Sequence, residues 1–306
     1  MTGTIVILGV FVADTSYRAA RQPRMGETIL GESFALGPGG KGSNQAVAAA
    51  RAGGAVHIVS KLGRDTFAEM ALATWAEAGV TPAVTQDETS YTGAAYIFVD
   101  AKTGDNAIIV APGAAGTIAP ADIEAQAGLI GGAAVFVTQL EQPMEAAIRA
   151  LEIARAGGAR TILNPAPAAP LADATLALCD VVTPNETEAQ EITGLPVGSV
   201  EEARRAAQAL LDRGVGAAVI TLGENGALYH DGRVSEHVPA FRVGAVVETT
   251  GAGDAFTGGF ATALAEGRAP VEAVRFGCAA AGISVTRPGT APAMPTRAEI
   301  LALLGE

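Results

Sequence analysis

The chain has 306 residues, room for one large domain or two small ones. Apolar residues make up 49 % of it and aromatic ones only 5 %, so a core has to be built mainly from Ala, Val, Leu and Ile. A formal net charge of −12, with no basic cluster, argues against nucleic acid or an anionic membrane as partner.

The opening stretch, MTGTIVILGVFVADT, has neither a basic segment nor a small-residue cleavage site. Its apolar run is far short of the roughly 20 residues of a membrane span, and it predicts a first buried strand at 5–10. Short β-branched runs predict further strands at 56–60, 133–138, 161–163, 181–183 and 218–221. Helical periodicity lies between them, at 43–52, 66–78, 144–156, 186–193 and 200–213. This alternation describes βαβ units and a parallel sheet covered by helices on both faces. The last third is expected to be helical at 252–265, 270–286 and 296–304.

Two stretches break the alternation. ETILGESFAL (27–36) reads as a strand, and so do 93–99 and 106–110, which are joined by the polar turn DAKTGD. Strands without helical cover must bury a face elsewhere, in a small β-lid over a cleft or against another subunit. The chain therefore reads as a single α/β domain, 1–306, with a discontinuous lid formed by about 12–37 and 92–111. Cys179 and Cys278 stand in no paired spacing, which predicts two buried thiols and a cytoplasmic protein.

Two glycine segments precede helices. GPGGKGSNQAVAAA (37–50) holds a literal G-x-G-x-x-G at Gly37, Gly39 and Gly42. A dinucleotide turn would follow the first strand and be succeeded by an acidic residue ending the second. This one arrives far downstream, and the 56–60 strand leads into Lys61. A Walker A loop is excluded too, because Lys41 is followed by Gly42. Close backbone approach, the Lys41 cation and the Asn44 amide suit a neutral polyhydroxyl ligand; a tight strand-to-helix turn would need the same glycines.

ETTGAGDAFTGGF (248–260) sets Gly251, Ala252, Gly253 and Asp254 at the start of a small-residue helix. Free N–H groups and the positive dipole end make an anion site there without any side chain. With Thr250 expected as the cap, Asp254 is placed beside a bound phosphate, where it can take a proton from an attacking hydroxyl. The alternative is an ordinary helix-start Asp. Phosphate is expected in this segment and not in the first.

GGKGSNQAVAAARAG (39–53) and ETTGAGDAFTGG (248–259) resemble the two signature segments of the ribokinase-type carbohydrate kinases, the phosphofructokinase-B superfamily. VADT (12–15), GETI (26–29), QLEQP (139–143), NPAPA (164–168), TPNETEA (183–189) and ITLGENG (220–226) follow the family's order, so the resemblance covers nearly the whole chain. It implies a three-layer ribokinase-like fold, a mostly parallel central sheet flanked by helices, with a small β-sheet lid. It implies transfer of phosphate from ATP, with Mg²⁺, to a sugar's primary hydroxyl, with ribose going to ribose 5-phosphate.

By position, the resemblance implies Asp254 as catalytic base and Gly251, Ala252 and Gly253 as the anion hole. Asp14, Gly40, Lys41, Asn44 and Glu141 match sugar contacts. Asn185 and Glu188 match the segment that organises phosphate and, through water, magnesium. Thr221, Gly223 and Gly226 match the nucleotide turn, and Cys278 falls near the adenine. Glu248, Thr250, Val285, Arg287 and Gly289 match a monovalent-cation (K⁺) site. Exposed lid strands predict a homodimer in which the lids pair.

Three positions depart from the family pattern. Val12 stands where a sugar-binding Asn is usual and offers neither donor nor acceptor, which makes 2-deoxyribose an alternative substrate. Another sugar or a nucleoside is a further alternative, though few aromatics are present to stack on a base. Glu248 replaces an Asp and Ala293 a Ser, both at the cation site, which is largely backbone carbonyl. A catalytically silent sugar sensor is the rival from another class, and Asp254 with its glycines speaks against it. His57, His230 and His237 have no metal-ligand spacing, Trp75 is expected in the core, and Arg204 and Arg205 on a solvated helix face.

Overall fold

The computed structural model describes residues 3–306. In chain order it forms β1 (Thr4–Leu8), β2 (Val12–Ala19), β3 (Ser33–Gly39), α1 (Lys41–Arg51), β4 (Ala55–Leu62), α2 (Thr66–Ala78) and β5 (Thr81–Gln86). There follow β6 (Thr92–Asp100), β7 (Asn106–Gly113), α3 (Pro120–Glu124), α4 (Ala127–Gly131), β8 (Val135–Thr138), α5 (Met144–Ala156), β9 (Arg160–Leu163) and α6 (Asp173–Leu176). Then come β10 (Val181–Val182), α7 (Glu186–Thr193), α8 (Val200–Asp212), β11 (Ala217–Thr221), β12 (Ala227–His230) and β13 (Ser235–Val238). The chain ends in α9 (Ala252–Ala265), α10 (Pro270–Ser284) and α11 (Arg297–Leu304).

Nine strands form one sheet in the order β13-β12-β11-β10-β9-β8-β1-β4-β5, parallel from β11 to β5 and closed at the other edge by the antiparallel β12 and β13. Alternation along β1 divides the core. Ile5 and Ile7 join the cluster built by α1, α2, α9 and α10, while Val6 and Leu8 join the cluster under α5 and α8. Every β1 residue from Ile5 on is fully buried, which is why the strand reads as an unbroken apolar run. This is the three-layer α/β arrangement.

The lid is a second sheet of four strands in the order β3-β2-β6-β7. Its β2 runs antiparallel to β3 and parallel to β6. The strand expected at 27–36 is displaced: β3 begins at Ser33. Residues before it are fixed differently, Glu27 accepting from Arg21 and from the Arg24 N–H, so side-chain pairing replaces a strand ladder there. Two other departures have a clear cause. β5 carries Pro82, which an edge strand tolerates and a sequence pattern penalises. Arg205 lies on a solvated face as expected, whereas the half-buried Arg204 also donates to Ser235 O and Oγ and ties α8 to β13.

Candidate active site

Close packing brings the two glycine segments together. A Cβ on Gly42 would lie 2.4 Å from Gly9 Cα, so α1 starts directly on the end of β1 only because both residues are bare. α1 and α9 meet just as tightly, since a Cβ on Gly258 would fall 2.7 Å from Gln45 O. The first turns of the two helices thus face each other, and Asp254 is buried between them.

The Asp254 carboxylate accepts from Asn44 Nδ2 at Oδ2 (3.1 Å) and from Gln45 Nε2 at Oδ1 (3.0 Å). Burial raises its pKa, opposed by the Lys41 charge and by the two donated hydrogen bonds. Around it stand two half-buried carboxyls. Glu141 Oε2 accepts the Lys41 backbone N–H (2.7 Å), and burial pushes its pKa up to about 7 against the pull of that bond and of the Lys41 charge. Asp14 is raised to about 6, first by burial and then by the neighbouring Glu248. A Cβ on Gly39 would sit 2.2 Å from Asp14 Oδ2, so this glycine clears space for a carboxylate and not for a phosphate. Gly40 caps α1 with φ 89°.

α9 begins without a side-chain cap. Its N-cap is Gly251 at φ 81°, a left-handed conformation that favours glycine, and not Thr250, so the expected cap is corrected. The Ala252 N–H bonds back to Thr249 O (3.2 Å), whereas the Gly253 and Asp254 amides take no acceptor among the described residues. That leaves donors and the positive end of a 14-residue helix next to Asp254.

α7 opens with a reciprocal cap. Asn185 Oδ1 accepts the Glu188 N–H (2.8 Å) and Glu188 Oε2 accepts the Asn185 N–H (2.9 Å). Asn185 pairs with Thr221 at the end of β11, and the turn from Gly223 to Gly226 follows at once. Glu188 faces the fields of Lys41 and Asp254, and its pKa is raised mainly by burial.

In the remaining segment, Glu248 Oε2 accepts the Gly289 N–H (2.7 Å), and Val285 O accepts from the backbones of Val247 (2.8 Å) and Glu248 (3.2 Å). Thr290 Oγ1 donates to Pro38 O (2.9 Å), joining this turn to β3 of the lid. Arg287 is engaged by Glu299 of α11.

A pfkB family carbohydrate kinase model matches residues 4–297. The chain belongs to that family. Ribokinase of Haemophilus influenzae is 39 % identical over 99 % of both chains, and deoxyribokinase of Salmonella typhi is 37 % identical over 95 % of both. The structure of Arabidopsis thaliana ribokinase complexed with ribose and ATP superposes over the whole of both chains with a TM-score of 0.93 at 29 % identity. The fold is ribokinase-like, and the chain is a ribokinase-type sugar kinase, as the resemblance implied for an ATP-dependent carbohydrate kinase.

Hydrogen bonds and charge coupling bring Asp14, Lys41, Asn44, Glu141 and Asp254 together, with Gly40 and the Gly251–Gly253 turn at the starts of α1 and α9. Asn185 meets Thr221 beside the turn from Gly223 to Gly226, and Glu188 faces Lys41 and Asp254. Glu248, Val285 and Gly289 are brought together, with Arg287 in the same turn and Thr250 in the loop before α9. Cys278 packs in the apolar core of α10, and burial pushes its thiol up to about 12. Trp75 is fully buried, its indole N–H donating to Ser43 Oγ (2.9 Å). His230 Nε2 pairs with Gln208, and His237 with Asn225 O. Three residues given no role from sequence touch the site through hydrogen bonds: Gln45, Gln139 and Asn164. Their signal was a neutral amide placed among small or apolar neighbours inside segments already singled out.

Proposed function

We propose that the chain transfers the γ-phosphoryl group of ATP to the primary hydroxyl of a pentose, converting ribose to ribose 5-phosphate. The observation that carries this is the buried Asp254 carboxylate beside free amides at the start of α9. Asp254 takes the hydroxyl proton at the carboxylate, and the resulting oxygen nucleophile attacks the γ-phosphorus in line as the bond to the bridging oxygen breaks and ADP leaves. The amides of Gly251 and Gly253 stabilise charge developing on the transferred group, joined by that of Ala252 when it exchanges its bond to Thr249 O for the phosphoryl oxygen. Asp14, Asn44, Glu141, Gly40 and Lys41 orient the sugar. Among the described residues the buried Asn44 Oδ1 has no hydrogen-bond partner, an acceptor suited to a sugar hydroxyl. Asn185 with Glu188, and the Thr221, Gly223 and Gly226 turn, hold the nucleotide, whose adenine lies toward Cys278.

The donor sets fit both expected metals. Glu188 uses one carboxylate oxygen in the α7 cap and leaves the other unbonded among the described residues, which suits Mg²⁺ shared with phosphates and water. Bound there, Mg²⁺ would neutralise phosphate charge. Glu248 with the carbonyls of Thr250, Arg287 and Gly289 is an all-oxygen set of the kind K⁺ takes, and Val285 O, which accepts the Val247 and Glu248 N–H groups, would join it on giving up one of those bonds.

A second reading, 2-deoxyribose as preferred sugar, is favoured by Val12, which is buried where β2 meets Gly39 and has no polar group to satisfy a hydroxyl. We read the chain as one kinase domain, with the four-stranded sheet as a lid, active as a homodimer in the cytoplasm. No nucleic acid or membrane partner belongs to this reading. Among the described residues no helix is long and apolar enough to cross a membrane.

The test is a coupled ADP assay across pentoses, deoxypentoses, hexoses and nucleosides. Ribose or 2-deoxyribose is expected to give the highest kcat/KM; absence of sugar-dependent ADP formation contradicts the proposal.

A further inference from the structure

We propose that Gln45 is a positioning residue for the base: a chain of amides with one possible direction ends on Gln45 and holds Asp254 ionised and in a single orientation. The inference rests on the reading of Asp254 as base. The direction is set at the far end. Asn164 Nδ2 donates to Thr183 O (2.9 Å), which leaves Asn164 Oδ1 facing Gln45 as an acceptor. Gln45 Nε2 then directs one hydrogen to Asn164 Oδ1 (3.0 Å) and the other to Asp254 Oδ1 (3.0 Å). Its Oε1 accepts from Gln139 Nε2 (2.6 Å). Turning the Gln45 amide over would set donor against donor at Gln139 and acceptor against acceptor at Asp254.

Gln45 and Gln139 are fully buried and Asn164 nearly so, hence no solvent stands ready to replace a lost donor. A donor fixed on Oδ1 stabilises the carboxylate and not the acid. It also sets the plane of the group, presenting Oδ2 where Asn44 meets it (3.1 Å). The charged groups around Asp254 are Lys41 on α1, Glu141 after β8 and Glu188 on α7. The two carboxyls oppose its charge, so Lys41, Asn44 and Gln45 must sustain it.

Gln45→Met keeps length and burial but donates nothing, and Gln45→Glu keeps shape while setting a second carboxyl on Asp254. In Gln45→Met, kcat is expected to fall about 10- to 100-fold, with both KM values changed less than about two-fold. The acid limb of kcat/KM is expected to move up by about one pH unit. Gln45→Glu is expected to move it further, because the two carboxyls share a proton. In an Asp254→Asn background, Gln45→Met should alter the residual rate less than about two-fold.

An acid limb that stays in place in folded variants, as judged by thermal unfolding, overturns the proposal. So does an undiminished effect of Gln45→Met in the Asp254→Asn background. Should the Gln45 variants not fold, Gln139→Met, one amide further out, is expected to move the limb the same way by less, and no movement there is equally contrary. Failure of the underlying reading shows separately, as wild-type turnover in Asp254→Asn itself.

Discussion

Asp14 and Glu141 reach the same cleft from different elements, and burial favours the protonated form of both. Their raised pKa values, about 6 and about 7, lie above those of an unfolded chain, so the native state holds extra protons between about pH 4 and pH 7. Stability of the free protein from these two groups therefore declines as pH rises through that window. Hydroxyl donors from a sugar relieve the charged form, so KM for sugar should rise several-fold from pH 8 to pH 5.5 and sugar should stabilise more at the higher pH. Thermal unfolding with and without sugar across pH checks both; a sugar-induced shift independent of pH would contradict them.

Val12 acts at the same scale through what it lacks. A hydroxyl left unpaired in a buried site costs about 1–3 kcal/mol. Val12→Asn should therefore raise the ratio of kcat/KM for ribose over 2-deoxyribose by about 5- to 150-fold. An unchanged ratio would remove Val12 from the specificity argument.

Among elements, the contact of α1 with α9 decides whether a base exists at all. Gly258→Ala sets a methyl group 2.6 Å from Ala48 Cβ and 2.7 Å from Gln45 O, forcing the helices apart. Overpacking of this kind costs about 1–3 kcal/mol of stability, and displaced Asn44 and Gln45 should lower kcat by at least ~10-fold. Denaturant unfolding and kcat separate the two effects; full activity would show that the approach tolerates slack. Most elements of this layer were legible, because strands buried on both faces and small-residue helices leave strong patterns. Helices at 66–78, 144–156, 186–193 and 252–265 stand where periodicity set them. What escaped was short or set by tertiary context: α3, α4, α6, β12 and β13, all of five residues or fewer, β5 with its Pro82, the position of β3, and the cap of α9, which is a backbone conformation of Gly251 and no side chain. At the site, charged residues were visible one by one, but the amide chain through Gln45 was not, since its members lie 94 and 119 positions apart in sequence.

At the scale of the whole molecule, the lid leaves one face uncovered. Register sets Tyr17, Phe34, Leu36 and Ile109 on that face, all exposed, an apolar strip too long to remain wet without consequence, while Ile108 and Val110 lie on the opposite face with Asp14. Pairing of two lids should give a homodimer, and Ile109→Asp should yield a monomer in sedimentation velocity; a wild-type monomer would refute the arrangement. Lid and cation turn are joined by the Thr290 bond to Pro38 O, so K⁺ is expected to raise activity relative to a large organic cation, and equal rates would count against the site.

The central claim is that phosphate belongs at the start of α9 and the sugar at the Gly37–Gly42 segment. A crystal structure with a non-hydrolysable ATP analogue and a pentose tests it most directly. The terminal phosphate is expected against the amides of Gly251 to Gly253, with the sugar's primary hydroxyl on Asp254. A triphosphate seated in the Gly37–Gly42 turn would contradict it.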